Sequence, residues 1–176
     1  MINKPQTWEQ INENGASSKL PMGGYVAIIR KVTDVPDKQY LEIEYDIAEG
    51  TYKGTAVDAY EAIGKWIHNF RVYYTEKSLW RLKKFISRVE QTNPNFQFDW
   101  NNPQCLVNRG IGLVIGYRGY WGKDGTLKEG LDVQDFCTAS EVREGNLPKQ
   151  PECRAPKDPP PAPVMEEVTD TDNLPF

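Results

Sequence analysis

"SLWRLKKFISRVEQ", residues 78–91, breaks the rhythm of the chain. Its apolar side chains Leu79, Leu82, Phe85, Ile86 and Val89 recur every three or four residues, with Lys83, Lys84 and Arg88 on the other side. That spacing predicts one amphipathic helix of about four turns, with Ser78 as its N-cap. On either side of it the pattern has period two.

Upstream, "GYVAIIRKVTDV", residues 24–35, is a β-branched run closed by Pro36. "YLEIEYDI", residues 40–47, alternates, with Leu41, Ile43, Tyr45 and Ile47 on one face and Tyr40, Glu42, Glu44 and Asp46 on the other. The turn residues Pro36-Asp37-Lys38-Gln39 join the two as a hairpin. A third strand fits "WIHNFRVYYT", residues 66–75, after a loop containing Gly50, Gly54 and Gly64. Downstream, beyond an Asn/Pro-rich loop, "GIGLVIGYRGYW", residues 110–121, and "EGLDVQDFCTA", residues 129–139, read as two more strands joined by the Gly-rich loop 122–125.

Three strands, a helix, then two strands is the order of an OB-fold, a five-stranded Greek-key barrel with its helix between strands 3 and 4. Another α+β sheet domain is the rival reading. Short strands, a single helix, and Gly112, Gly116 and Gly119 where a barrel strand must bend favour the barrel. The fold class expected is mainly β, an OB-fold body followed by a disordered acidic C-terminal tail.

The tail stands out in charge. The 176 residues carry a formal net charge of -4, and residues 150–176 hold six acidic and two basic side chains, so 6 minus 2 accounts for all of it. A neutral body leaves room for a local basic surface. Pro151, Pro156, Pro159, Pro160, Pro161 and Pro163 predict an extended, PPII-like stretch. The chain thus divides into a body, residues 1–149, a Pro-rich flexible linker, 150–165, and an acidic tip, 166–176.

Motifs for catalysis are scarce. There is no G-x-x-x-x-G-K-[ST], no G-x-G-x-x-G opening a helix and no H-E-x-x-H, and the lone histidine, His68, reads as a packed residue. Cys105, Cys137 and Cys153 have neither disulfide nor zinc spacing and read as reduced structural residues. No enzyme activity, metal or cofactor is expected. No apolar run nears the roughly 20 residues of a membrane helix and the first ten residues lack a signal-peptide pattern, so the expected location is the cytoplasm.

Aromatic residues beside cations are plentiful instead. "GYRGYWGKDG", residues 116–125, gathers Tyr117, Arg118, Tyr120, Trp121 and Lys123 where an OB-fold carries its binding loop between strands 4 and 5. Unpaired bases stack on aromatic rings while their phosphates attract Lys and Arg, which makes single-stranded nucleic acid the candidate ligand. A second cluster surrounds strand 3: Tyr52, Lys53, Lys65, Trp66, Arg71, Tyr73 and Tyr74. Alternation assigns Trp66, Phe70, Val72 and Tyr74 to the core and Arg71 and Tyr73 to the outer, ligand-facing side. Lys38 and Tyr40 at the first hairpin form a third, smaller group. Lys83, Lys84 and Arg88 read as a solvated helix face.

The final residues, "TDTDNLPF", complete a resemblance. An OB-type body, a Pro-rich linker and an acidic tip ending on an aliphatic residue, Pro and Phe resemble bacterial single-stranded DNA-binding proteins, and more narrowly their phage-encoded relatives. The tip positions are Asp170, Asp172, Leu174, Pro175 and Phe176; in the body the likeness rests on strand order and on "YLEIEYDIAEGTYKG", residues 40–54. Thr171 and Asn173 interrupt the family's acidic run, and Leu174 stands where it has Ile. The resemblance implies sequence-tolerant binding of single-stranded DNA in replication, recombination or repair. It also implies a tip that docks partner proteins, and a host-cytoplasmic setting if the chain is phage-encoded. It leaves self-association open. A protein-interaction adaptor and a strand-annealing recombination protein are the alternatives.

Overall fold

The computed structural model describes residue 3 and residues 20–162. It is mainly β, a sheet of six strands accompanied by three helices. In chain order the elements are β1 (Gly23–Val35), β2 (Tyr40–Ile47), α1 (Thr55–Ile63), β3 (Asn69–Tyr73), α2 (Leu79–Thr92), β4 (Gly110–Trp121), β5 (Leu127–Cys137), α3 (Ala139–Glu144) and β6 (Cys153–Arg154). Five strands run antiparallel in the order β3-β2-β1-β4-β5, and β6 lies parallel to β4 off that path.

Alternation sets which residues meet. Leu41, Ile43, Tyr45 and Ile47 of β2, Phe70 and Val72 of β3, and Ile111, Leu113 and Ile115 of β4 are all buried in one cluster. β1 contributes Ala27 and Ile29, and then, across a register shift between Ile29 and Lys31, Val32. An inserted residue there bends the strand without turning its apolar side outward. A second shift, between Val114 and Ile115, lets β5 keep both Val133 and Phe136 inward.

α2 covers the gap between the two ends of the strand order. Leu82, Phe85, Ile86 and Val89 are buried, as the helical period requires. Phe85 stands between Phe70 of β3 and Phe136 of β5, at centroid distances of 5.7 and 5.2 Å. From the first turn of α2, Arg81 donates to the carbonyl oxygens of Val133 at 2.7 Å and Gln134 at 3.5 Å. Its guanidinium lies 4.8 Å from the Phe136 centroid. A helix side chain thus satisfies carbonyls on a strand edge that lacks a ladder partner.

Several elements depart from the sequence reading. The stretch expected as a Gly-containing loop holds α1, because Gly54 and Gly64, both left-handed, cap a run of adequate helix formers. β3 spans five residues where ten were expected. Ser78 makes no side-chain cap; a 3-10 turn at Glu76–Ser78 leads into α2 instead. Tyr40 and Asp46, assigned to a polar face of β2, are buried. Asp46 accepts from the amides of Ile47 and Ala56 at 2.8 and 2.9 Å and so ties α1 to the sheet. Among the described residues no helix is long and apolar enough to cross a membrane.

Candidate nucleic-acid interface

The β4–β5 hairpin runs well past the start of β1, where its residues carry no further neighbour in the sheet's main order. Register decides which side chains it offers. Tyr117 pairs with Leu131 and continues the inner row Ile111, Leu113, Ile115, so it is buried and its hydroxyl donates to the Leu20 carbonyl. The sequence reading placed Tyr117 with the surface aromatics; it is buried because alternation along β4 puts it on the inward face with Ile111, Leu113 and Ile115. Burial raises its pKa. Arg118 and Tyr120 take the opposite face, and Tyr120 is 50% exposed.

The loop that follows is internally bonded. The Gly122 amide donates to the Thr126 carbonyl at 2.8 Å, and the Asp124 carboxylate accepts from the Thr126 hydroxyl at 2.7 Å. Those Thr126 bonds hold the Asp124 carboxyl below its ordinary pKa. Lys123 is left exposed at the tip.

The Pro-rich segment, described as far as residue 162, is in contact with this hairpin over its first part. β6 pairs with Tyr117 and Arg118, and the Tyr117 amide donates to the Glu152 carbonyl at 3.1 Å. Gln134 clamps the same residue twice, donating to the Glu152 carbonyl at 2.7 Å and accepting from its amide at 2.9 Å. Gly116 has to be glycine for this reason: a Cβ there would stand 2.3 Å from the Glu152 oxygen. The close approach of residues 152 and 156 accounts for Gly116 and Gly119, whereas Gly112 makes room for the backbone at Cys137 and Thr138. Between hairpin and segment lies a cleft of about 520 Å³, lined among others by Arg118, Tyr120, Trp121, Lys123, Lys157 and Pro159. That volume is in the range, about 300–1,000 Å³, of pockets that hold small ligands.

A second group gathers at the far end of β2 and β3. Tyr73 stands edge-on to Tyr40, with centroids 5.2 Å apart, and the Arg71 guanidinium lies 4.6 Å from the Tyr40 centroid. The Tyr73 hydroxyl, more than the nearby Glu42, holds the Arg71 pKa above its ordinary value. Arg71 Nε is 3.5 Å from the Glu42 carboxylate. Arg71 and Tyr73 are exposed while Phe70 and Val72 are buried, the split that alternation assigned. Lys38 is exposed in the adjacent turn.

Tyr52 and Lys53 join neither group at the surface in the same way. Tyr52 packs edge-on to Tyr25 at 6.1 Å and against the core, and Lys53 beside it is exposed. Trp66 is half-buried, its indole N–H donating to the carbonyls of His68 at 2.9 Å and Tyr45 at 3.1 Å. In the strand order β1 and β2 separate β3 from β4, so seven of the ten candidate DNA contacts fall into two groups, Arg118, Tyr120, Trp121 and Lys123 at the hairpin and Arg71, Tyr73 and Lys38 at the far end of β2 and β3, while Tyr117 is buried and Tyr52 and Lys53 stand apart.

Sequence reasoning passed over Lys157 and its proline neighbours, which read as spacer. It also passed over Trp80 and Trp100, 66% and 71% exposed, the second of which lines a smaller groove with Leu79, Tyr74 and Phe98. Trp80 falls outside the 79-82-85-86-89 apolar row, and that interruption is the signal that marks it as a surface residue. The tip residues Asp170, Asp172, Leu174, Pro175 and Phe176 lie outside the described residues. Among the described residues no group of three or more His, Cys, Asp and Glu side chains could hold a metal ion. No protein-family model matches the chain, and no curated protein matches its sequence.

Proposed function

We propose that this chain binds single-stranded DNA with little sequence preference, as a coating and recruiting protein of replication, recombination or repair. The observation that carries the reading is the cleft at the β4–β5 hairpin, where exposed Tyr120 and half-buried Trp121 stand among Arg118, Lys123 and Lys157. A base offers a ring face to such aromatics and a phosphate to such cations, whatever its identity. The strand order β3-β2-β1-β4-β5 supports an OB-type body, since it is the order an OB barrel would have if opened between β3 and β5, and Phe85 of α2 packs between those two strands. Arg71, Tyr73 and Lys38 supply a second stretch of the same chemistry, along which a strand would continue. The tip residues Asp170, Asp172, Leu174, Pro175 and Phe176 would dock a partner, Phe176 filling an apolar pocket and the acids steering it to basic surfaces.

The test is titration with oligo(dT) and with duplex of equal length. Trp fluorescence quenched by oligo(dT), weaker binding to duplex, and a log K falling by about 0.7 per phosphate neutralised for each decade of salt are expected. Unchanged fluorescence and mobility with oligo(dT) at low salt would remove the proposal. Removal of Phe176 is expected to abolish partner pull-down and spare oligo(dT) binding.

A further inference from the structure

We infer that residues 155–161 form the second wall of the single-strand-binding cleft, with Lys157 a phosphate contact, so that a segment composed like a spacer is part of the site. The inference rests on the single-strand-binding reading above.

This wall is held before it begins and again at its middle. Just before it are the β6 ladder to Tyr117 and Arg118 and the two hydrogen bonds between Gln134 and Glu152. At its middle the Trp121 indole N–H donates to the Asp158 carbonyl at 2.8 Å. Between them Pro156 passes so close to Gly119 that a Cβ on the glycine would stand 3.0 Å from the proline Cδ. Pro156, Pro159, Pro160 and Pro161 fix the backbone torsions of the run, so little entropy remains to be lost when a ligand arrives.

Charge then separates Lys157 from its neighbours. Arg118 lies 3.4 Å from Asp132, and Arg154 lies 2.7 Å from Glu152. Among the described residues neither Lys123 nor Lys157 is in an ion pair, and both are exposed at the rim of the cleft. Asp158 is the one carboxylate among the lining residues, against three cations. Trp121 is already tied to the segment through its N–H, which leaves its ring as the part available for stacking. Two uncommitted ammonium groups across an aromatic cleft are suited to phosphates on either side of a stacked base.

The experiment uses the full chain and labelled oligo(dT). A single-strand salt slope of about 0.7 per phosphate corresponds to about fivefold in affinity between 1 M and 0.1 M salt. Lys157→Ala should therefore weaken binding about fivefold at 0.1 M salt and flatten the slope by about 0.7, with Lys157→Arg restoring both. Lys83→Ala, on the exposed side of α2, should change neither. Ultraviolet crosslinking to oligo(dT) should label peptide 155–162 together with peptide 117–123. If the wild-type chain binds oligo(dT) but Lys157→Ala binds as well or more tightly, or no crosslink falls in 155–162, the wall is refuted and the binding reading stands. If the wild-type chain does not bind, the reading itself fails.

Discussion

Phe70 of β3 and Phe136 of β5 hold their ring centroids 5.5 Å apart, although no backbone ladder joins their strands among the described residues. Rings complete what hydrogen bonds leave open, with Phe85 of α2 as the third member. Phe85 and Phe136 are fully buried. Phe136→Ala is expected to cost about 3–5 kcal/mol, Phe136→Leu clearly less, because only part of the void would be left unfilled. Denaturant midpoints at constant slope measure it. A cost for alanine within error of zero would mean that the two strand edges do not meet through this ring.

Arg81 tests the same seam by another force. It is the donor for the Val133 carbonyl, and burial pulls its guanidinium pKa downward. Arg81→Met keeps the apolar stem but orphans buried carbonyls, at an expected cost of about 1–3 kcal/mol. A melting temperature unchanged by Arg81→Met would show water serving those carbonyls equally well.

How much of this was legible beforehand depended on whether the signal was local. α2 was readable because Leu82, Phe85, Ile86 and Val89 repeat within four turns, and β4 because its apolar run is bounded at both ends. Arg71 and Tyr73 fell on the outer face by alternation alone. Tyr117 was misplaced because it was grouped with its aromatic and cationic neighbours, while the alternation of the same strand puts it in the inward row of Ile111, Leu113 and Ile115. α1 hid behind Gly54 and Gly64, which bound the helix and were read as breaking it. β6 is two residues long and finds its partner more than thirty residues away, so no periodicity could announce it. The same holds for Lys157: its role comes from what the chain is folded against.

His68 couples stability to pH. It is buried, stacked on Tyr45 with centroids 5.3 Å apart, and desolvation lowers its pKa from the ordinary 6.5, more than the Asp46 charge raises it. With the folded pKa below the unfolded one, the unfolded chain binds more protons in that window. The stabilisation is complete above 6.5 and is lost as pH falls through the folded value. Unfolding free energy should fall as pH is lowered through 6.5 toward the folded value, and His68→Gln should lose that component of the slope. An identical slope in His68→Gln would assign the dependence to other groups.

The cysteines should separate by reactivity. Burial pushes the Cys137 thiol from 9.0 up to about 11, whereas Cys153 is exposed. Little thiolate forms at Cys137 near neutral pH, and the site is closed to reagent. A thiol reagent at about pH 8 should modify Cys153 first and Cys137 only on unfolding. Equal rates for all three cysteines would contradict the burial of β5 at this position.

Tyr117 and Tyr120 divide folding from binding within one strand. Tyr120 is exposed at the cleft, and Tyr117 is buried with its hydroxyl on the Leu20 carbonyl. On the proposed function, Tyr120→Ala should weaken oligo(dT) binding by about 1–3 kcal/mol, the worth of one base stack, and leave the melting temperature nearly unchanged. Tyr117→Phe removes one donor from a buried contact and should cost about 1 kcal/mol of stability without altering affinity. The two readouts are independent, so each variant controls for the other. Affinity lost in Tyr117→Phe and kept in Tyr120→Ala would put the ligand on the inner side of the hairpin, against the register of β4 and β5.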